Sequence, residues 1–218
     1  MKSIVILISG RGSNMQSLLA AAADGSLPVR VAAVLSNRPG VAGLETAGAA
    51  GVPTRVIDHT LYPDRESFDA AMAEAIDAFS PDLVVLAGFM RILSNGFVER
   101  YAGRMMNIHP SLLPMFPGLH THRRALEEGV RIHGCTVHFV TPTLDHGPII
   151  IQAAVPVVAS DDEASLAARV LAQEHRIYPQ AVRWFADGRL RLLDGRVEVA
   201  GRQAADVALL SPTLPESD

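Results

Sequence analysis

Asn107-Ile108-His109-Pro110 sets an amide and an imidazole two positions apart at the end of an apolar run. In an extended strand that spacing puts both side chains on one face. Together they can hydrogen-bond a developing oxyanion, with added charge if the imidazole is protonated. A structural strand-end pair that satisfies loop carbonyls is the competing reading. Leu144-Asp145-His146-Gly147-Pro148 has the composition of a turn, and its acid could pair with His109 and hold its proton; spacing leaves open whether the two meet. Gly10-Arg11-Gly12-Ser13-Asn14 lies where a first strand would pass into a first helix, so it reads as an anion-binding loop or as a tight turn with a capping residue. It lacks the lysine of a Walker loop. The third glycine of a dinucleotide fingerprint would fall at Met15, and no acid follows the second strand, although Arg38 keeps an NADP site open.

Glu174 sits four residues after Val170 and three before Ile177, inside the stripe marked by Leu166, Val170, Leu171 and Ile177. A carboxylate facing a core must be paired or face a ligand. Arg91 interrupts the apolar run Leu83 to Leu93 just beyond a strand and reads either as a ligand contact or as a surface residue. His120, His122 and Arg123 follow Pro117-Gly118 and suit a polar or anion-contacting loop. No carboxylate or cysteine stands near them at ligand spacing, so no metal is expected. The single cysteine, Cys135, reads as a small core residue and excludes an internal disulfide.

These residues are carried by alternating elements. Strand-length runs at Ser3 to Ile8, Val29 to Ser36, Thr54 to Ile57, Leu83 to Ala87 and Met105 to His109 alternate with helical segments at Met15 to Ala23, Gly43 to Ala50, Ser67 to Phe79 and Asn95 to Tyr101. Continuous apolar strands between helices predict a doubly wound, mainly parallel α/β sheet of Rossmann-like type. Ligands then collect beyond the carboxyl ends of its strands, after Ile8, Ala87 and His109. Further on, a short helix around His122 to Glu128, strands at Gly134 to Val140 and Ile149 to Val155, and a long helix are expected. Ser160 and Glu163 read as the capping box of that helix, and Pro179 as its stop. Leu190 to Leu193 and Arg196 to Val199 form a hairpin around Asp194-Gly195, and 211–218 reads as a polar tail. One domain over 1–218 is expected, with a phosphate-binding half at 1–110 and a second half at 111–200.

Composition narrows the function. The chain has 218 residues, 49% of them apolar, and a net charge of -4. Its mean hydropathy is +0.22 and its pI about 6.0. That supports a sizeable core and disfavours global nucleic-acid binding. The apolar stretch Ile4 to Ile8 is too short for a signal-peptide core, and no run approaches the roughly 20 residues of a membrane span. A cytoplasmic protein is expected.

Ile8-Ser9-Gly10 through Asn14, Leu86-Ala87-Gly88-Phe89-Met90-Arg91-Ile92-Leu93, Asn107 through Pro114, Pro117 through His122, Leu144-Asp145 with Gly147-Pro148, and Gln173-Glu174-His175 occur together in this order. In this set the chain resembles the folate-dependent phosphoribosylglycinamide formyltransferases. The resemblance implies formyl transfer from 10-formyltetrahydrofolate, a cosubstrate, to glycinamide ribonucleotide, with no metal, by a monomer or homodimer whose partners are small molecules. It assigns Asn107, His109 and Asp145 to catalysis, and Gly12, Ser13, Asn14, Leu171, Ala172, Gln173 and Glu174 to the ribonucleotide. Arg65, Met90, Arg91, Ile92, Leu93, Asn107, Thr141, Pro142, Thr143, Leu144 and Asp145 fall to the folate, with Arg65 near its glutamate tail. Two positions depart from common patterns: Arg11 in the loop, and His146, where relatives carry small residues. A deformylase that uses water in place of the amine, and another folate-dependent formyltransferase, are the alternatives.

Overall fold

The computed structural model describes residues 1–201 and 209–211. Apart from Ser211, the expected tail lies outside the described residues. The strands are β1 (Lys2–Ile8), β2 (Val29–Ser36), β3 (Thr54–Val56), β4 (Leu83–Leu86), β5 (Met105–His109), β6 (Ile132–Phe139), β7 (Ile149–Pro156), β8 (Leu190–Leu193) and β9 (Arg196–Val199). The helices are α1 (Ser13–Ala23), α2 (Ala42–Ala49), α3 (Arg65–Asp77), α4 (Asn95–Arg100), α5 (Thr121–Glu127) and α6 (Glu163–Ala186).

Seven strands form one sheet in the order β3-β2-β1-β4-β5-β6-β7, and β8 and β9 form a separate hairpin. The pairs from β3 to β5 are parallel, whereas β5 with β6 and β6 with β7 are antiparallel. The centre of the sheet is covered on both faces, which is why Ile4 to Ile8 of β1 and all of β4 are apolar and buried, whereas the edge strand β3 is exposed. Ile4, Ile6 and Ile8 of β1 point into a core shared with α1 and α6, and Val5 and Leu7 into one shared with α3 and α4. The same alternation on β5 sends Met106 and Ile108 to the first core and Met105 to the second, so Asn107 and His109 share a face. Tyr178 of α6 donates to the carbonyls of Leu86 (2.9 Å) and Met106 (3.1 Å), which ties that helix to the central strands.

Two boundaries of α6 differ from expectation. The capping residue is Asp162, which accepts from the Ser165 amide while Ser165 Oγ accepts from the Asp162 amide. Ser160 and Glu163 do not form the box, because Asp161 is engaged by Arg169 and Asp162 takes the cap. Pro179 does not stop the helix, which continues to Ala186. An internal proline costs about 3 kcal/mol, but Ala181, Val182 and Trp184 beyond it are buried. Each large apolar side chain buried contributes about 1.5–3 kcal/mol, so packing offsets the lost backbone bond.

His133 of β6 is buried beneath the segment that follows β5, with its ring edge-on to Phe116 and to His122. Burial, then the neighbouring His122, pushes its imidazole down to about 4. The unfolded reference is 6.5, so the unfolded chain binds the extra proton between these values and stability is lost as pH falls through that window. A loss of about 3 kcal/mol between pH 7 and 4 is expected from this group. Urea unfolding of the native chain and of His133→Leu across that range checks it; parallel pH curves would contradict the assignment.

Candidate active site

The glycine loop joins β1 to α1. Gly12 has φ +70°, a conformation that a side chain disfavours, and a Cβ there would lie 3.2 Å from the buried Met15. Gln16 is the first residue of α1 bonded back into the helix, to Gly12 O at 2.9 Å. The amides of Ser13, Asn14 and Met15 therefore stand at the positive end of α1, as an anion site requires. Gly43 of α2 braces the loop. Its amide donates to Gly10 O at 3.2 Å, and a Cβ at Gly43 would come within 2.8 Å of that oxygen. Arg11 is exposed.

Asn14 and Glu174 meet although 160 positions separate them: Asn14 Nδ2 donates to Glu174 Oε2 at 2.7 Å. Glu174 therefore has a protein partner, and it stands beside the loop. Both residues are buried, and Asn14 Oδ1 has no hydrogen-bond partner. Burial raises the Glu174 carboxyl above its ordinary value, and the Asn14 bond offsets this in part. Of the neighbouring positions, Leu171 and Gln173 are half-buried and Ala172 is exposed.

At the end of β5, His109 Nδ1 lies 3.5 Å from Asp145 Oδ2, with both side chains 8% exposed. His109 Nε2 donates to the Phe116 carbonyl at 2.9 Å. Both ring nitrogens thus face acceptors, which fixes the orientation of the ring. Asp145 has φ +50° and also accepts from the Gly118 amide at 2.8 Å. Its position comes from the antiparallel return of the sheet. The chain leaves β6 beside Met105 (Val140 N–H to Met105 O, 2.9 Å), and the β6–β7 connection brings Asp145 to His109. Gly147 permits that path: a Cβ there would fall 1.7 Å from Phe139 O.

The connections after β4 and β6 carry the other expected residues. Met90, Ile92 and Leu144 are exposed apolar side chains. The Met90 amide donates to Ser9 Oγ at 2.8 Å, and Ser9 Oγ donates to Asn37 Oδ1 at 2.6 Å, so this segment is fixed to the ends of β1 and β2. Arg91 stacks 4.8 Å above the Phe68 ring, and its Nε is buried without a hydrogen-bond partner. Leu93 packs with Val140 against the second core, next to Thr141; Pro142 and Thr143 are exposed. Arg65 opens α3 beside the capping Asp64, in a cavity of about 580 Å³ shared with Asp69, Ser94 and Phe97. His146 is exposed, and its amide donates to Thr143 O at 3.3 Å.

Sequence reasoning missed three contributors: His138, which contacts Asn107; Gly147, which permits the turn; and Gly43, which braces the loop. A polar residue inside the apolar run Gly134 to Val140 was the available signal for His138.

The profile of the Formyl transferase family matches residues 2–182. The phosphoribosylglycinamide formyltransferase of Escherichia coli (strain K12) is 51% identical over 201 residues, covering 92% of this chain and 95% of that protein. The solved structure of glycinamide ribonucleotide transformylase 1 from Symbiobacterium toebii superposes with a TM-score of 0.89 at 51% identity, over 91% of this chain and 94% of that one. A formyltetrahydrofolate deformylase from Burkholderia mallei shares the fold at a TM-score of 0.83 and 31% identity, over 91% of this chain and 69% of that one. Family profile, near full-length identity and sheet topology agree, and the chain belongs to the formyl transferase family.

Proposed function

We propose that the chain transfers the formyl group of 10-formyltetrahydrofolate to the amino group of glycinamide ribonucleotide, giving formylglycinamide ribonucleotide and tetrahydrofolate in purine biosynthesis. The observation that carries this reading is the buried His109–Asp145 pair beside Asn107 at the carboxyl edge of β5. The substrate amine attacks the formyl carbon, so no protein nucleophile is needed. A carbon–nitrogen bond forms, the carbonyl oxygen takes the negative charge, and Asn107 and protonated His109 stabilise it. The bond to the folate nitrogen then breaks. The proton lost by the amine ends on that nitrogen, with Asp145 assisting its passage and holding His109 charged. The Phe116 carbonyl oxygen, 2.9 Å from His109 Nε2, holds the place of an acceptor that the oxyanion would take.

The ribonucleotide phosphate sits on the loop Gly12, Ser13 and Asn14, and Glu174 accepts from the ribose hydroxyls, with the spare Asn14 Oδ1 as a further acceptor. Leu171, Ala172 and Gln173 complete that side. The folate covers Met90, Ile92 and Leu144 between Arg91, Leu93 and the segment Thr141, Pro142, Thr143, while Arg65 pairs with a glutamate carboxylate. The partners on this reading are small molecules, and the setting is the cytoplasm.

Absorbance of a deazafolate formyl donor, followed with and without glycinamide ribonucleotide, tests the proposal. Loss of formyl only when the ribonucleotide is present is the expected result. Equal loss without it would mean a deformylase. Glu174→Gln weakens charge-assisted bonds worth about 1.5–3 kcal/mol. It should raise KM for the ribonucleotide about 10- to 100-fold and leave KM for the folate donor unchanged; initial rates with each substrate varied check this.

A further inference from the structure

We infer that His138 is a positioning residue for Asn107, fixing which way round the Asn107 carboxamide sits and so where its free N–H points. The inference rests on the catalytic role proposed for Asn107. In the antiparallel pair β5–β6, Asn107 stands directly opposite His138, and Asn107 Nδ2 lies 3.2 Å from His138 Nε2. The other ring nitrogen, Nδ1, lies 2.9 Å from the carbonyl oxygen of Phe139. A carbonyl can only accept, so Nδ1 carries the hydrogen and Nε2 of the neutral ring offers a lone pair. The Asn107 amide must then present N–H to His138, because the flipped amide would set Oδ1 against that lone pair. One hydrogen of Nδ2 is held in this way. The direction of the second is thereby set, and it is the one available to a developing oxyanion.

The ring is suited to this task. His138 is 2% exposed, and burial disfavours its imidazolium, which would have no lone pair to offer. The proton site is held by backbone and not by a side chain that could rotate away. No part of the transfer chemistry requires His138 to touch a substrate, so its contribution passes through Asn107.

The test compares apolar and accepting replacements at this position. His138→Phe and His138→Leu, two variants so that one misfolded protein does not decide the matter, should lower kcat about 10- to 30-fold with KM for both substrates within about twofold. His138→Gln, whose Oε1 can accept from Asn107, should recover kcat to within about threefold of the native chain. In an Asn107→Ala background the His138 replacements should cause no further loss. Native kcat in the apolar variants beside a crippled Asn107→Ala overturns the inference alone. So does a glutamine variant no better than the apolar ones, or an equal loss in the Asn107→Ala background, since each marks a packing role. Near-native kcat in Asn107→Ala itself overturns the catalytic reading of Asn107, and the inference with it.

Discussion

Asn107→Ala and His109→Ala should each lower turnover by about 100- to 1,000-fold, the loss typical when one oxyanion donor is removed. The fold should survive both. Asn107 is half-buried and its side chain bonds the His138 imidazole, and β5 contributes Met105, Met106 and Ile108, not Asn107, to the core clusters on either side. His109→Ala leaves the Asp145 carboxylate buried without its imidazole partner, so a stability loss of about 1–3 kcal/mol accompanies the kinetic one. Asp145 keeps the Gly118 amide as a donor, which limits that cost. The kinetic signature separates chemistry from folding: kcat should fall while KM for the ribonucleotide, whose proposed contacts are the α1 loop and Glu174, stays near native. Single-turnover rates and melting curves on the same preparations check both parts. Near-native turnover in the two variants would remove Asn107 and His109 from catalysis.

Gly147→Ala should be nearly as damaging to turnover, although the residue carries no functional group. A Cβ at Gly147 would stand 1.7 Å from the Phe139 carbonyl oxygen and 3.2 Å from His138 Nδ1. Backbone, not a flexible side chain, is in the way, so the connection itself must move. Asp145 lies two residues upstream in a left-handed conformation and meets His109 at 3.5 Å, and a shift of about 1 Å at such a site can cost about 100-fold. Overpacking adds about 1–3 kcal/mol of lost stability. The same displacement disturbs the Phe139 carbonyl that holds His138. Turnover and unfolding of Gly147→Ala, beside Gly48→Ala as a control where an added Cβ has nothing within 4 Å, measure these effects; native turnover in Gly147→Ala would show that the turn does not set the position of Asp145.

The course of β1, β2, β4 and β5 was legible because strands buried on both faces need continuous apolar runs, and the helices between them need length and glycine punctuation. Period-two alternation likewise put Asn107 and His109 on one face, where they are found. The meeting of His109 with Asp145 was not legible from spacing, since it depends on β6 pairing antiparallel with β5 and on how the chain returns afterwards. Asn14 and Glu174 meet for a similar reason: α6 crosses back over α1, and no local pattern encodes that crossing. The odd carboxylate was visible in the stripe, but not its partner. Local rules failed where tertiary packing outweighed them. Pro179 lies inside α6 because buried residues follow it, and Asp162 caps the helix where Ser160 matched the common pattern. Gly147 read as an ordinary turn glycine, and only the approach of the Phe139 carbonyl gives it a necessary role.

The most direct measurement follows the transferred group itself. A donor labelled with carbon-13 in its formyl group is incubated with the protein and glycinamide ribonucleotide, and the products are resolved by mass spectrometry. Formyl transfer to the amine predicts one labelled formyl group in the ribonucleotide for each tetrahydrofolate released, and no such product with Asn107→Ala on the same timescale. Label recovered as free formate, with the ribonucleotide unchanged, would contradict it.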